Sequence, residues 1–146
     1  MNVMSKNIQA QSGQKILFIC YGNTCRSPMA EGLAKQRLSG LVTVESAGVA
    51  PGFPGAQPEA VQVMMETYKV DISGHKTRGL NEIEPDKYNW IIVLDRYVYE
   101  NLKTRWPESH PIIRLWEVED PFGRDIQAYR NSARSIQAYL KKYLSL

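Results

Sequence analysis

The segment Lys15-Ile16-Leu17-Phe18-Ile19-Cys20 runs apolar without a break from Ile16 and ends in a cysteine, and it constrains the fold more than any other stretch. Because no polar residue alternates with the apolar ones, a strand here must be covered on both faces. That is the condition of a parallel sheet flanked by helices. Residues 42–47, 90–94 and 112–115 form comparable runs. Helical patterns lie between them. Pro28 reads as a first helical residue, with Met29, Leu33 and Leu38 behind it. Pro58 opens a second helix, with Val61, Met64, Met65 and Tyr68 on its inner face, and residues 96–105 form a third that stops before Pro107. Asp125 is placed to cap a last helix in which Ile126, Tyr129, Ala133, Ile136, Leu140 and Tyr143 recur at three- and four-residue steps. This alternation predicts an α/β fold, a three-layer sandwich around a four-stranded, parallel, doubly wound sheet. Ligands of such sheets bind beyond the carboxyl ends of the strands, which brings residues 20–27, 47–57 and 117–124 to one rim.

The chain has 146 residues, enough for one core without metal or disulfide staples. Its two cysteines, Cys20 and Cys25, exclude a disulfide scaffold and a four-cysteine zinc site. A net charge of +3 is too mild to argue for nucleic acid, though it suits an anionic substrate. No run of about 18 apolar residues argues for a membrane span. Residues 1–14 lack the apolar core of a signal peptide, so they read as a flexible extension of a cytoplasmic protein whose single domain is 15–146. Neither a metal nor a cofactor is called for by any motif.

The chemistry concentrates where the first of these strands meets the first helix, in Cys20-Tyr21-Gly22-Asn23-Thr24-Cys25-Arg26-Ser27. A loop of this length can curl its backbone N–H groups onto one point, and the helix N-terminus adds its dipole there; the result is a phosphate-binding loop. Gly22 and Asn23 tolerate the positive φ angles such a curl can require. Arg26 closes the cup with a guanidinium that matches two phosphate oxygens. Cys20 sits at the floor among N–H dipoles, Arg26 and the Ser27 hydroxyl, an environment that favours the nucleophilic thiolate. The reading is attack of sulfur on phosphorus. A proton for the leaving oxygen must come from elsewhere; Asp120, followed by Pro121, lies at the same rim, where an Asp-Pro by itself reads as a turn.

Residues 18–31 resemble the signature of the low-molecular-weight protein tyrosine phosphatases, and the resemblance continues through Glu45-Ser46-Ala47-Gly48, Gly74-His75-Lys76-Thr77-Arg78, Val93-Leu94-Asp95 and Asp120-Pro121-Phe122-Gly123. It implies a phosphocysteine intermediate on Cys20, a phosphate clamp in Arg26 and a general acid and base in Asp120. It also implies that Asn23 holds the loop, that Ser27 stabilises the thiolate, and that Ser46 and His75 belong to a hydrogen-bond network behind it. Cys25 corresponds to a neighbour that can form a reversible disulfide with the nucleophile. The implied partners are phosphorylated proteins, with a cognate tyrosine kinase as their source.

The rim bears on the substrate. Tyr21, Phe53 and Phe122 can line a slot for a phenyl ring, with Phe122 on one wall and Phe53 on the other. Gly123 stands where several relatives carry a second aromatic. Thr24 stands where many tyrosine phosphatases of the family carry a bulky aliphatic residue and its phosphoarginine phosphatases carry Thr. The aromatics favour phosphotyrosine; Thr24 keeps phosphoarginine as the alternative. Arsenate reductases share the resemblance, but their thiol relays generally use three cysteines and this chain has two.

Overall fold

The computed structural model describes residues 7–107 and 112–145. Residues 1–6 of the expected flexible extension lie outside the described residues. The elements in chain order are β1 (Ile8–Gln9), β2 (Lys15–Cys20), α1 (Arg26–Leu38), β3 (Thr43–Gly48), α2 (Pro58–Val63), β4 (Trp90–Val93), α3 (Arg96–Arg105), β5 (Ile112–Leu115), α4 (Ile126–Tyr143) and β6 (Leu144–Ser145).

The main sheet has four parallel strands in the order β3-β2-β4-β5. Alternate residues of β2 explain its unbroken apolar sequence. Ile16, Phe18 and Cys20 enter a core with α1, α2 and α4, while Leu17 and Ile19 enter a second core with Val98 and Leu102 of α3. Both faces are covered, as a parallel sheet requires. Each fully buried large side chain, such as Phe18, Met29 or Ile91, contributes roughly 1.5–3 kcal/mol. No helix among the described residues is long and apolar enough to cross a membrane.

Four expectations need correction. The extension is not free along its whole length. Ile8–Gln9 pairs in parallel with Leu144–Ser145, and Ile8 and Ala10 are buried against the core. A two-residue strand carries too little periodicity to be read from sequence. Helix α1 begins at Arg26 rather than Pro28. Pro28 is its third residue, still inside the first turn, where a missing N–H costs nothing. Of the expected inner face of the second helix, Met64 is buried and Val61 and Tyr68 pack against the core, together with Ala60 and Val63, but Met65 is exposed. Residues Met64–Tyr68 wind as a π-helix, and its wider turn leaves Met65 outside the stripe. Gly22 does not take a positive φ, whereas Asn23 does, at 57°.

Helices α3 and α4 match their sequence readings. Asp125 caps α4 by accepting from the Ala128 N–H at 3.0 Å. The chain passes from β2 to β3 on one side and reaches β4 and β5 on the other, so the strand order reverses beside β2. The crevice at that reversal is where doubly wound sheets bind ligands.

Candidate active site

Residues 21–25 leave β2 and enter α1 directly. The carbonyls of Cys20, Tyr21 and Thr24 accept from the N–H groups of Val49, Ala50 and Gln57 at 3.2, 2.8 and 2.9 Å, which straps the segment 49–57 over the loop. Gly48 lets the end of β3 press against the loop. A Cβ there would stand 2.8 Å from Asn23 N and from the Gly22 carbonyl carbon.

Cys20 lies at the floor, 2% exposed. Its Sγ is 2.9 Å from Ser27 Oγ and accepts from the Asn23 N–H at 3.2 Å. Asn23, with its positive φ, is fully buried and connects most of what lies behind the loop. Its Nδ2 donates to Ser27 Oγ at 2.8 Å and to Ser46 Oγ at 3.0 Å, and its Oδ1 accepts from the Arg78 N–H at 2.9 Å. His75 Nε2 lies 2.9 Å from the Asn23 carbonyl oxygen. Both expected supports, Ser46 and His75, therefore touch the loop through Asn23.

Arg26 is almost completely buried. Its Nη1 donates to Asp95 Oδ2 at 2.7 Å and to the Val118 carbonyl at 3.0 Å. Nη2 stands 3.6 Å from Asp120 Oδ2. Its Nε is buried and has no hydrogen-bond partner among the described residues. Burial alone would weaken the guanidinium's hold on its proton. Cys20 and the Asp95 hydrogen bond outweigh that, and Arg26 stays above its ordinary range. Asp120 is half exposed, and its Oδ1 accepts from the Phe122 N–H at 3.1 Å, a turn that fixes the carboxyl.

Cys25 faces away from solvent. Its thiol donates to Tyr129 Oη at 3.5 Å, and Thr24 Oγ1 lies 3.7 Å from its sulfur. Burial pushes the Cys25 thiol up to about 11, with the Tyr129 and Thr24 contacts opposing the shift. Burial likewise raises the Tyr129 hydroxyl.

A cavity of about 270 Å³ opens above Cys20, lined by Tyr21, Gly22, Thr24, Cys25, Arg26, Ala50, Gly52, Phe53, Asp120 and Phe122. Phe53 and Phe122 do not form opposite walls. Their ring centroids are 5.6 Å apart, the separation of a contacting pair, so no third ring fits between them. They make one joined wall. Tyr21 is half exposed and leans on Tyr97 at 5.9 Å, making a second aromatic pair.

Three side chains escaped the sequence reading as site residues. Asp95 caps α3 through the Val98 N–H at 2.7 Å while holding Arg26; an Asp just before a helix, at a strand's carboxyl end, was the available signal. Glu31 accepts from Ser46 Oγ at 2.6 Å. Arg78 pairs with Glu45 at 3.0 Å while its N–H orients Asn23. The last two act through contacts between distant segments, and their sequence mark is their place at the ends of the resembling segments 18–31 and 74–78.

A loop of this build, with a thiol at its floor and an arginine over it, defines a class of phosphomonoester hydrolase. The family described as low molecular weight phosphotyrosine protein phosphatase matches residues 15–145, and the chain belongs to it. It is 36% identical over 130 residues to the probable low molecular weight protein-tyrosine-phosphatase EpsP of Ralstonia nicotianae, spanning 84% of this chain and 88% of that one. It is 34% identical over 117 residues to the glutaredoxin arsenate reductase of Synechocystis, spanning 80% and 86%. The low molecular weight protein tyrosine phosphatase of T. tengcongensis superposes with a TM-score of 0.80 at 32% identity, covering 89% of this chain and 97% of that one. The YwlE arginine phosphatase of Geobacillus stearothermophilus does so with 0.80 at 26% identity, covering 88% and 89%.

Proposed function

We propose that this phosphatase hydrolyses phosphotyrosine on proteins through a phosphocysteine intermediate. The observation that carries the reading is the shared cavity: Cys20 at its floor, Arg26 and Asp120 at its side, and aromatic rings at its mouth. The Cys20 thiolate attacks phosphorus, the S–P bond forms and the P–O bond to the phenol breaks. Asp120 gives its proton to the departing oxygen. A water then attacks phosphorus, Asp120 takes its proton, and the S–P bond breaks to release phosphate and the thiolate. Arg26 supplies Nε and Nη2 as a planar fork for two phosphate oxygens, with Asp95 keeping the guanidinium in place through Nη1. The buried hydroxyl of Ser27 and the Asn23 N–H stabilise the thiolate both before attack and on departure.

Protein substrates suit the mouth better than small phosphomonoesters do. Four of the exposed large hydrophobic side chains among the described residues, Tyr21, Phe53, Tyr97 and Phe122, meet there in two ring pairs. Such a patch binds the ring and the chain that carries it. A tyrosine kinase is the partner this reading requires.

Thr24 supports a second reading, phosphoarginine hydrolysis. It lines the cavity, and its hydroxyl together with Asp120 can accept hydrogen bonds from a guanidinium. The arsenate-reductase reading is disfavoured, since Cys25, the one other thiol, is buried and held protonated by burial. Cys20→Ser should lose turnover while still binding phosphate, and retained turnover would end the mechanism. Comparing kcat/KM on phosphotyrosyl and phosphoarginyl peptides tests the substrate. The phosphotyrosyl peptide is expected to win, and the reverse ranking would give the enzyme to the Thr24 reading.

A further inference from the structure

The hydrogen bonds behind the catalytic loop can run in only one direction. The Arg78 main-chain N–H can only donate, so Asn23 must present Oδ1 to it and turn Nδ2 toward the two serines. Asn23 Nδ2 then donates to both Ser27 Oγ and Ser46 Oγ. Each serine must send its own proton elsewhere. Ser27 Oγ stands 2.9 Å from Cys20 Sγ and 3.4 Å from the Ala47 carbonyl, so its proton goes to sulfur when sulfur is anionic. Among the described residues, Ser46 Oγ donates to Glu31 Oε1, at 2.6 Å. A carboxylate accepts only, and a bond this short is charge-assisted. Lys35, four residues along α1, holds the other carboxylate oxygen at 2.6 Å and keeps Glu31 aimed.

We propose that Glu31 is a positioning residue for the nucleophile: by taking the Ser46 proton it holds Ser46 as an acceptor for Asn23, and so keeps the Ser27 hydroxyl as a donor to Cys20. The inference rests on the reading of Cys20 as nucleophile. Without an acceptor on Ser46, its proton turns back toward Asn23 Nδ2, where two donors meet. The amide then loses one of the two anchors that aim it, and Ser27 is free to rotate toward the Ala47 carbonyl. Polarised chains of this kind strengthen or fail together.

The position of Glu31 makes the inference testable. A second cleft, about 810 Å³ in volume, lies on the far side of the loop from the substrate cavity, and Glu31, Ser46, Lys35 and His75 are among its lining residues. A small carboxylate from solvent can therefore reach the Ser46 hydroxyl once the Glu31 side chain is removed.

The experiment measures kcat, KM and the pH dependence of Cys20 alkylation by iodoacetamide in the full chain. Other charged or titratable groups facing this region are Lys35, Glu45, Lys69, Asp71, His75, Lys76 and Arg78 around the cleft and Cys25, Arg26, Asp95 and Asp120 around the loop, and all are kept. Glu31→Ala should lower kcat about tenfold with KM little changed, and should move the alkylation profile toward higher pH. Glu31→Gln, whose amide oxygen can accept the same proton, should recover most of both. Formate should raise the rate of Glu31→Ala and not that of the wild type. Adding Ser46→Ala to Glu31→Ala should cost no more than Ser46→Ala alone. An unmoved alkylation profile in Glu31→Ala, failure of both Gln and formate to restore it, or full additivity with Ser46→Ala would overturn the proposal. Wild-type turnover that survived complete alkylation of Cys20 would instead overturn the nucleophile assignment, a distinct outcome.

Discussion

The two sides of the catalytic loop are built from opposite materials. The outer side meets solvent through half-exposed rings, Tyr21, Phe53 and Phe122, and through a carboxyl, Asp120, anchored by one turn hydrogen bond and one ion pair. The inner side is a fixed polar network bordering a cleft: Asn23, Ser27 and Ser46 are buried, and their polar atoms are paired with one another or with Cys20, Glu31, His75 and Arg78. The difference follows from what each side must do. A substrate ring enters and leaves the outer side, so its walls can adapt. The inner side must hold donors toward sulfur through both bond formation and bond cleavage, and a preorganised donor set needs no reorganisation at those moments. Substitutions outside should therefore change which substrate is handled, and substitutions inside should change every substrate alike.

The sharpest break in that comparison is Asp120, which is on the outer side yet belongs to the chemistry. Asp120→Ala should cost about 10²–10⁴-fold in kcat on phosphotyrosyl peptides, whose leaving group needs a proton. Aryl phosphates with a strongly acidic phenol should lose far less. Steady-state rates across a leaving-group series check this, and a uniform loss would remove its role as acid.

Gly48→Ala tests the inner side. Its Cβ would meet main-chain atoms of Gly22 and Asn23 at 2.8 Å, and neither is the end of a flexible side chain. Overpacking of this kind costs typically about 1–3 kcal/mol. Thermal unfolding should shift downward, and kcat should fall by a similar factor on all substrates. An unchanged melting temperature with unchanged kcat would mean the loop has slack behind it.

Phe53→Ala should have a smaller and more selective effect. A ring contact is worth about 0.5–1.5 kcal/mol beyond burial, so KM for aryl phosphates should rise by roughly 2- to 10-fold. Inhibition by inorganic phosphate, which never reaches the rings, should not move. If phosphate inhibition weakens equally, the wall shapes the cup and the two sides are not separable.

How much of this was legible in the sequence follows the same division. The strand ending at Cys20, the Cys-to-Arg spacing and the Asp125 cap are local patterns with local causes, and each was readable from neighbouring residues. Asp95 was half legible, as a helix cap whose second role on Arg26 depends on β4 lying beside β2. The contacts of Glu31 and Arg78 were not, because their partners are 15 and 55 residues away and only the fold brings them together. The contact of Phe53 with Phe122 was missed for the same reason: composition names the rings but does not set their separation. Likewise Ile8 is buried where its strand pairs with β6 and joins the core.

The loop carries two thiols five residues apart that the fold treats differently. Cys20 opens onto the substrate cavity, while Cys25 is packed against Tyr129 and held protonated by burial, up to about 11 from an ordinary 9.0. The folded protein therefore binds the Cys25 proton more tightly than the unfolded chain does. That contribution is fully present below pH 9 and is lost as pH rises toward 11, because the unfolded thiol ionises first and the unfolded state then holds fewer protons. A shift of this size corresponds to about 1 kcal/mol lost by pH 10, with no effect on turnover near neutrality. Urea unfolding of the wild type and Cys25→Ala at pH 7, 9 and 10 tests it through the difference between the two proteins. The gap between the two proteins should narrow with rising pH. A gap that stays constant would mean that Cys25 ionises as readily in the fold as out of it.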